Sequence, residues 1–179
     1  MATNLLKKYP ELLELAHLNE MARQESLQRI FKRDIEDNNN LNFRGKTIRP
    51  IKGEEPDMVL LFRHLTTEEI EEANEHTGKT YKKRYFEMDR SRRLHWIKFH
   101  LEEKKKENIE IFSVEERDQK KRQNIMRTYI YDVDQKYIIV LDPQRTGKDY
   151  YLITAFYLNK EYGEKKIRKL FKNRLGELH

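Results

Sequence analysis

Apolar positions change period partway along this chain. From residue 4 to 37 they recur with helical spacing, at Leu12, Leu15, Ala16, Leu18, Ala22, Leu27, Ile30 and Phe31. Pro10 stands where a helix can start. The tract Asp37-Asn38-Asn39-Asn40 then breaks the pattern and reads as a linker. Residues 43–56, with Gly45, Pro50, Gly53 and Pro56, read as irregular. The apolar run Met58 to Leu65 fits a helix or a strand. Thr66 and Glu69 have capping-box spacing, which predicts a helix from there to about His76, before Gly78. Asp89 has the character of an N-cap for a helix over 90–106, with Leu94, Ile97 and Leu101 on the face expected to pack.

Beyond that point alternation takes over. Asn108 to Val114, Ile125 to Tyr131, Lys136 to Leu141 and Tyr150 to Tyr157 read as strands, joined by short polar turns. Strands so connected pair antiparallel as a meander. A basic helix over 164–175 follows. The fold class expected is α+β: helices, then a four-stranded antiparallel sheet with helices on one face and the other face partly open. The organisation expected is an N-terminal helical extension and linker, residues 1–56, ahead of a main domain, residues 57–179.

Composition narrows the chemistry. Charged residues make up 38% of the 179, and the formal net charge is +6. That excess favours a polyanion such as nucleic acid. There is no cysteine, which removes thiol nucleophiles and cysteine-held zinc and fits a cytoplasmic setting. No run is long enough to span a membrane, and no leader-like segment opens the chain.

Ala73-Asn-Glu-His-Thr-Gly-Lys-Thr80 approaches the phosphate-loop pattern, but Ala73 replaces its first glycine and no apolar strand precedes it. A helix end at Gly78 is the plainer reading. His95 and Lys98, three apart, share a helix face, and histidine is the usual acid–base group near neutral pH. Arg127 sits within an apolar strand, as a cross-strand partner or as a clamp on an oxyanion. The apolar hairpin from Tyr137 to Leu158 carries Arg145 and Lys148 at its turn and Tyr151 and Thr154 in its second strand. Lys82 and Arg84 lie among Tyr81, Tyr85 and Phe86, where bases can stack. No carboxylate cluster suggests a metal, and no motif calls for a cofactor.

Arg93-Leu-His-Trp-Ile-Lys98, then Arg127-Thr-Tyr129, then the hairpin closing on Leu152-Ile-Thr-Ala-Phe-Tyr157 occur in a fixed order. This set resembles the barnase–EndoU–colicin–RelE-like (BECR) nuclease superfamily, its phage-associated branch, over roughly residues 76–160. The resemblance implies a RelE/barnase-like sheet and metal-independent endonucleolytic cleavage of RNA, tRNA or mRNA, by attack of the ribose 2′-OH. It further implies catalytic roles for His95, Arg127, Arg145 and Thr154, and substrate contacts from Lys98, Lys148, Tyr151, Lys82 and Arg84. A toxin or phage-associated RNase with a cognate inhibitor or antitoxin fits such a reading. The alternatives are a noncatalytic nucleic-acid-binding module and a phage or mobile-element interaction protein.

Overall fold

A computed structural model describes residues 2–179. The four alternating segments form strands β5 (Ile109–Asp118), β6 (Gln123–Asp132), β7 (Tyr137–Pro143) and β8 (Asp149–Tyr157), each antiparallel to the next. The sheet does not stop there. A short hairpin of β1 (Asn42–Phe43) and β2 (Lys46–Pro50) joins it, and β2 runs parallel to the first half of β8, Ile48 opposite Tyr150. The order is β1-β2-β8-β7-β6-β5, a six-stranded mixed sheet. This corrects the expected four-stranded antiparallel sheet of RelE/barnase type. Parallel pairing needs a long crossover, and no local signal in residues 43–56 announces one. Pro50 ends β2, where its missing N–H costs the ladder least.

A second correction concerns residues 57–86. Met58 to Leu65 belongs to helix α2 (Asp57–Thr66), and the chain turns extended at Thr67 instead of starting a helix there. Thr66 and Thr67 turn their hydroxyls back on the carbonyls of Phe62 and Arg63, 2.9 and 2.6 Å away, which closes α2. Then β3 (Thr67–Ala73) and β4 (Thr80–Phe86) form a separate two-stranded ribbon. Its charges face one another across the strands, Glu69 opposite Arg84 and Glu71 opposite Lys82, and the ion pair made is Lys82 to Glu69. Read along the chain, the same charges look like a solvated helix. The phosphate-loop look-alike is the turn of this ribbon: Asn74 Oδ1 accepts from the backbone N–H of His76 and Thr77, and Gly78 takes φ +67°.

The helical expectations shorten as well. Residues 4–37 hold a 3-10 turn at Ala2–Leu6, an irregular stretch, and helix α1 (Glu20–Phe31), which runs into a π-turn at Lys32–Glu36. Asn19 caps α1 through Ala22 N–H at 2.9 Å. The helix expected over 90–106 is two pieces, α3 (Met88–Ser91) and α4 (Trp96–Leu101). Leu94, Ile97 and Leu101 are buried against the sheet in the larger core, with Ile130, Ile139 and Leu141.

Both sheet faces are covered, unequally. The larger core joins α1, α2 and α4 to Tyr137, Ile139, Leu141, Tyr150 and Leu152, and takes in Phe43 of β1. The smaller sits on the opposite face, where α5 (Glu161–Lys172) lays Ile167, Leu170 and Phe171 over Phe112, Tyr131 and Ile138. The segment after α5 turns around the β5 edge, Leu175 N–H donating to Ser113 O at 2.8 Å. The His179 carbonyl oxygen then accepts from Thr128 Oγ1 and Tyr150 Oη at 2.7 and 2.5 Å, which gives these buried hydroxyls partners. No helix among the described residues is long and apolar enough to cross a membrane.

Candidate functional site

The sheet divides the residues that the sequence groups together. His95 belongs to the turn before α4 and is 6% exposed on the larger-core side. Its Nε2 lies 2.9 Å from Glu11 O, and its Nδ1 is buried without a partner. Burial pushes its pKa down to about 4, against a smaller upward pull from the Glu11 backbone. Lys98, on the same helix, is ion-paired to Glu102. Neither reaches the face that carries Thr154.

That face holds Arg127, Tyr151 and Thr154. Val114 lies opposite Arg127 on one side, and Asp142, Tyr151 and Arg49 form a row on the other, the two joined by the Arg127–Asp142 ion pair; Thr154, opposite Val140, belongs to the next row. Arg127 is ion-paired to Asp142 at 3.3 Å and is mostly covered, so its charge is already answered. Arg145 and Lys148 are exposed in the β7–β8 turn, away from Thr154. Lys82 faces solvent and pairs with Glu69 at 2.9 Å.

Thr154 is the one member of the expected catalytic set built into a cluster. Opposite Leu141 and Val140, β8 carries Leu152 and Thr154, so Ile153 is an extra residue. Such a bulge re-aims neighbouring side chains. It also comes where β2 has ended, so this half of β8 meets the end of α2 and α3 instead of a strand. Thr154 Oγ1 donates to His64 O at 3.2 Å and accepts from Arg90 Nη1 at 3.4 Å. The same Nη1 donates to His64 O and Thr67 O, each at 2.8 Å. Arg84, from β4, reaches Thr67 Oγ1 at 3.2 Å. The His64 carbonyl, Arg84, Arg90 and Thr154 thus meet where α2, β4, α3 and β8 come together, and the His64 imidazole lies near enough to the Ile153 backbone, Arg84 and Arg90 to feel all three.

The electrostatics of this cluster are unusual. Arg84 and Arg90 are both partly buried, and neither has a carboxylate within ion-pair distance among the described residues. Arg63, Arg92, Arg93 and Arg127, close by in sequence or on the sheet, all do. Burial lowers the pKa of both guanidiniums, although arginine stays charged at any working pH. Glu69 near Arg84, and Glu87 and Glu68 near Arg90, answer these charges only at longer range, and an anionic ligand in direct contact would answer them further. His64 is held below the ordinary histidine value, first by burial and then by Arg84, with the Ile153 backbone opposing. It is therefore neutral near pH 7. Glu69, kept ionised chiefly by its bond to Lys82, also feels Arg84 and, more weakly, Lys120 of the β5–β6 turn.

His64 and Arg90 are absent from the sequence-derived set. His64 ends an apolar run that periodicity alone leaves undecided, and only its reading as α2 places a polar residue at a helix terminus. Arg90 follows Asp89 in a stretch that reads as ordinary helix surface. No group of three His, Asp or Glu side chains among the described residues is arranged to hold a metal ion. No family model, curated protein or solved structure matches the chain.

The buried His95 carries a pH dependence. Its folded pKa, about 4, lies below the value of about 6.5 expected on unfolding. Its contribution is present above pH 6.5 and is lost as pH falls to about 4, an effect on the order of 3 kcal/mol. Urea unfolding of the native protein should weaken across that window more than that of His95→Gln, which cannot take up the proton. Equal losses in the two proteins would contradict the assignment.

Proposed function

We propose that this protein binds RNA and cleaves its phosphodiester bonds without a metal ion, at the His64, Arg84, Arg90 and Thr154 cluster. The observation that carries this reading is a pair of partly buried arginines without carboxylate partners, beside a neutral histidine and a hydroxyl. Those groups meet the needs of 2′-OH attack. In RNA the nucleophile is internal, so the protein has to position the bond, take a proton and stabilise charge on phosphorus.

His64 accepts the 2′-OH proton as the 2′-oxygen bonds to phosphorus. The bond to the 5′-oxygen breaks, that oxygen takes a proton from water, and a 2′,3′-cyclic phosphate remains. Arg84 holds the phosphoryl oxygens, and the Thr154 hydroxyl, which gives its proton to His64 O, takes part in positioning. Arg90 is a positioning residue: its Nη1 ties Thr154 to the end of α2. The chemistry is that of the BECR nucleases the sequence resembles, with His64 in the role that the resemblance gives to His95.

Binding of a fluorescent single-stranded RNA tests the first half of this reading. Affinity should fall with salt at a slope of roughly −0.7 per phosphate contacted. Arg84→Ala should weaken binding and flatten the slope by about one contact's worth. Affinity that ignores salt, or an Arg84→Ala protein that binds as the native one does, would contradict it.

A further inference from the structure

Beside the cluster lies a second concavity, a cavity of about 140 Å³ that shares Arg90 as a wall. Its sides are aromatic: Phe156, Tyr157 and, from the first turn of α5, Tyr162. Phe156 follows Thr154 by two residues and lies on the same sheet face, opposite Ile138 as Thr154 is opposite Val140. The two side chains are therefore about 7 Å apart along the strand. Tyr157 is committed already, since the Arg93 guanidinium sits 3.9 Å from its ring centroid. Tyr162 is 66% exposed and has no such partner beyond the Lys160 ammonium, 5.9 Å away.

The polar lining is mixed. Asn159 and Glu68 border the cavity, Glu68 paired to Lys160 at 3.2 Å. Arg90 Nη1 is taken by His64 O, Thr67 O and Thr154, and its guanidinium lies over the Phe156 ring, 5.5 Å from the centroid.

We propose that this cavity is a nucleobase subsite, which seats the base next to the phosphate held by Arg84. The inference rests on the phosphodiester reading of the adjoining cluster. Tyr162 supplies the stacking surface. The Asn159 amide donates to a base carbonyl, and Glu68 accepts from a base N–H. Guanine and uracil offer a carbonyl beside an N–H on their pairing edges; adenine has no carbonyl. The subsite therefore favours guanine and uracil over adenine.

Calorimetric titration of the full chain with 3′-GMP, 3′-UMP, 3′-AMP and inorganic phosphate tests the proposal. The guanine and uracil nucleotides should bind at least about tenfold tighter than inorganic phosphate, with 3′-AMP well behind them. Tyr162→Ala should remove about tenfold of that advantage, the usual weight of one stacked base. It should leave inorganic phosphate unchanged. Asn159→Ala should narrow the gap between 3′-GMP and 3′-AMP. Nucleotides that bind no better than phosphate, or a Tyr162→Ala loss shared by phosphate, would overturn the subsite alone. Absence of any binding, phosphate included, would overturn the phosphate cluster and the subsite with it.

Discussion

Replacing His64 by alanine should lower RNA cleavage by about 10²–10⁴-fold, the usual share of positioned acid–base catalysis. His95→Gln should leave cleavage within a few-fold of the native rate. The contrast follows from position. His64 lies beside Arg84, Arg90 and Ile153, neutral near pH 7 and partly open to solvent. His95 faces the opposite core and bonds a backbone carbonyl. The cleavage rate should fall as pH drops and His64 takes up a proton, because a protonated imidazole cannot act as the base. Loss of activity in His95→Gln with full activity in His64→Ala would reverse the assignment.

The largest effect on stability should come from Asp132→Ala. Asp132 is fully buried at the end of β6 and accepts from Tyr9 Oη at 2.6 Å and Lys105 Nζ at 2.8 Å. His100 Nε2 lies 3.1 Å away, and Gln135 N–H donates at 3.2 Å. These partners hold the carboxyl well below its usual range against the opposing effect of burial, the largest single influence on it. Removing one member of a buried charged network strands the others. The expected loss is about 3–5 kcal/mol, read from urea unfolding near pH 7. The network ties the N-terminal segment to the sheet through Tyr9, so residues before α1 should lose protection from proteolysis as well. A loss below about 1 kcal/mol would show that it adds little to the fold.

What was legible in the sequence was whatever local periodicity could carry. The strands from Ile109 to Tyr157 announce themselves because β-branched and aromatic residues alternate there and turn residues separate them. The parallel strand β2 was hidden because Thr47-Ile48-Arg49 is too short to show a period, and its partner is about a hundred residues away. The first strand of the β3–β4 ribbon reads as helix because Glu68, Glu69, Glu71 and Glu72 suit a solvated helix by composition. Only the cross-strand cations of β4 make them a ribbon.

The site follows the same logic. Thr154 stood out as a hydroxyl inside an apolar strand. Its true neighbours, His64 and Arg90, are 90 and 64 residues away and meet it only because β2 stops short of the bulge at Ile153. His95 was attractive for its residue type, yet nothing in Arg93-Leu-His-Trp marks it as buried. Arg127 shares the correct face, but Asp142 answers its charge, a pairing set by the β6–β7 register.

The His64 cluster is proposed to perform 2′-OH chemistry on a phosphodiester. The most direct measurement uses a DNA oligonucleotide carrying a single ribonucleotide, incubated with the protein in EDTA. Cutting should occur only on the 3′ side of the ribonucleotide, leave a 2′,3′-cyclic phosphate, and disappear in the His64→Ala protein. Cutting of an all-DNA strand at the same rate, or equal cutting by His64→Ala, would contradict the claim.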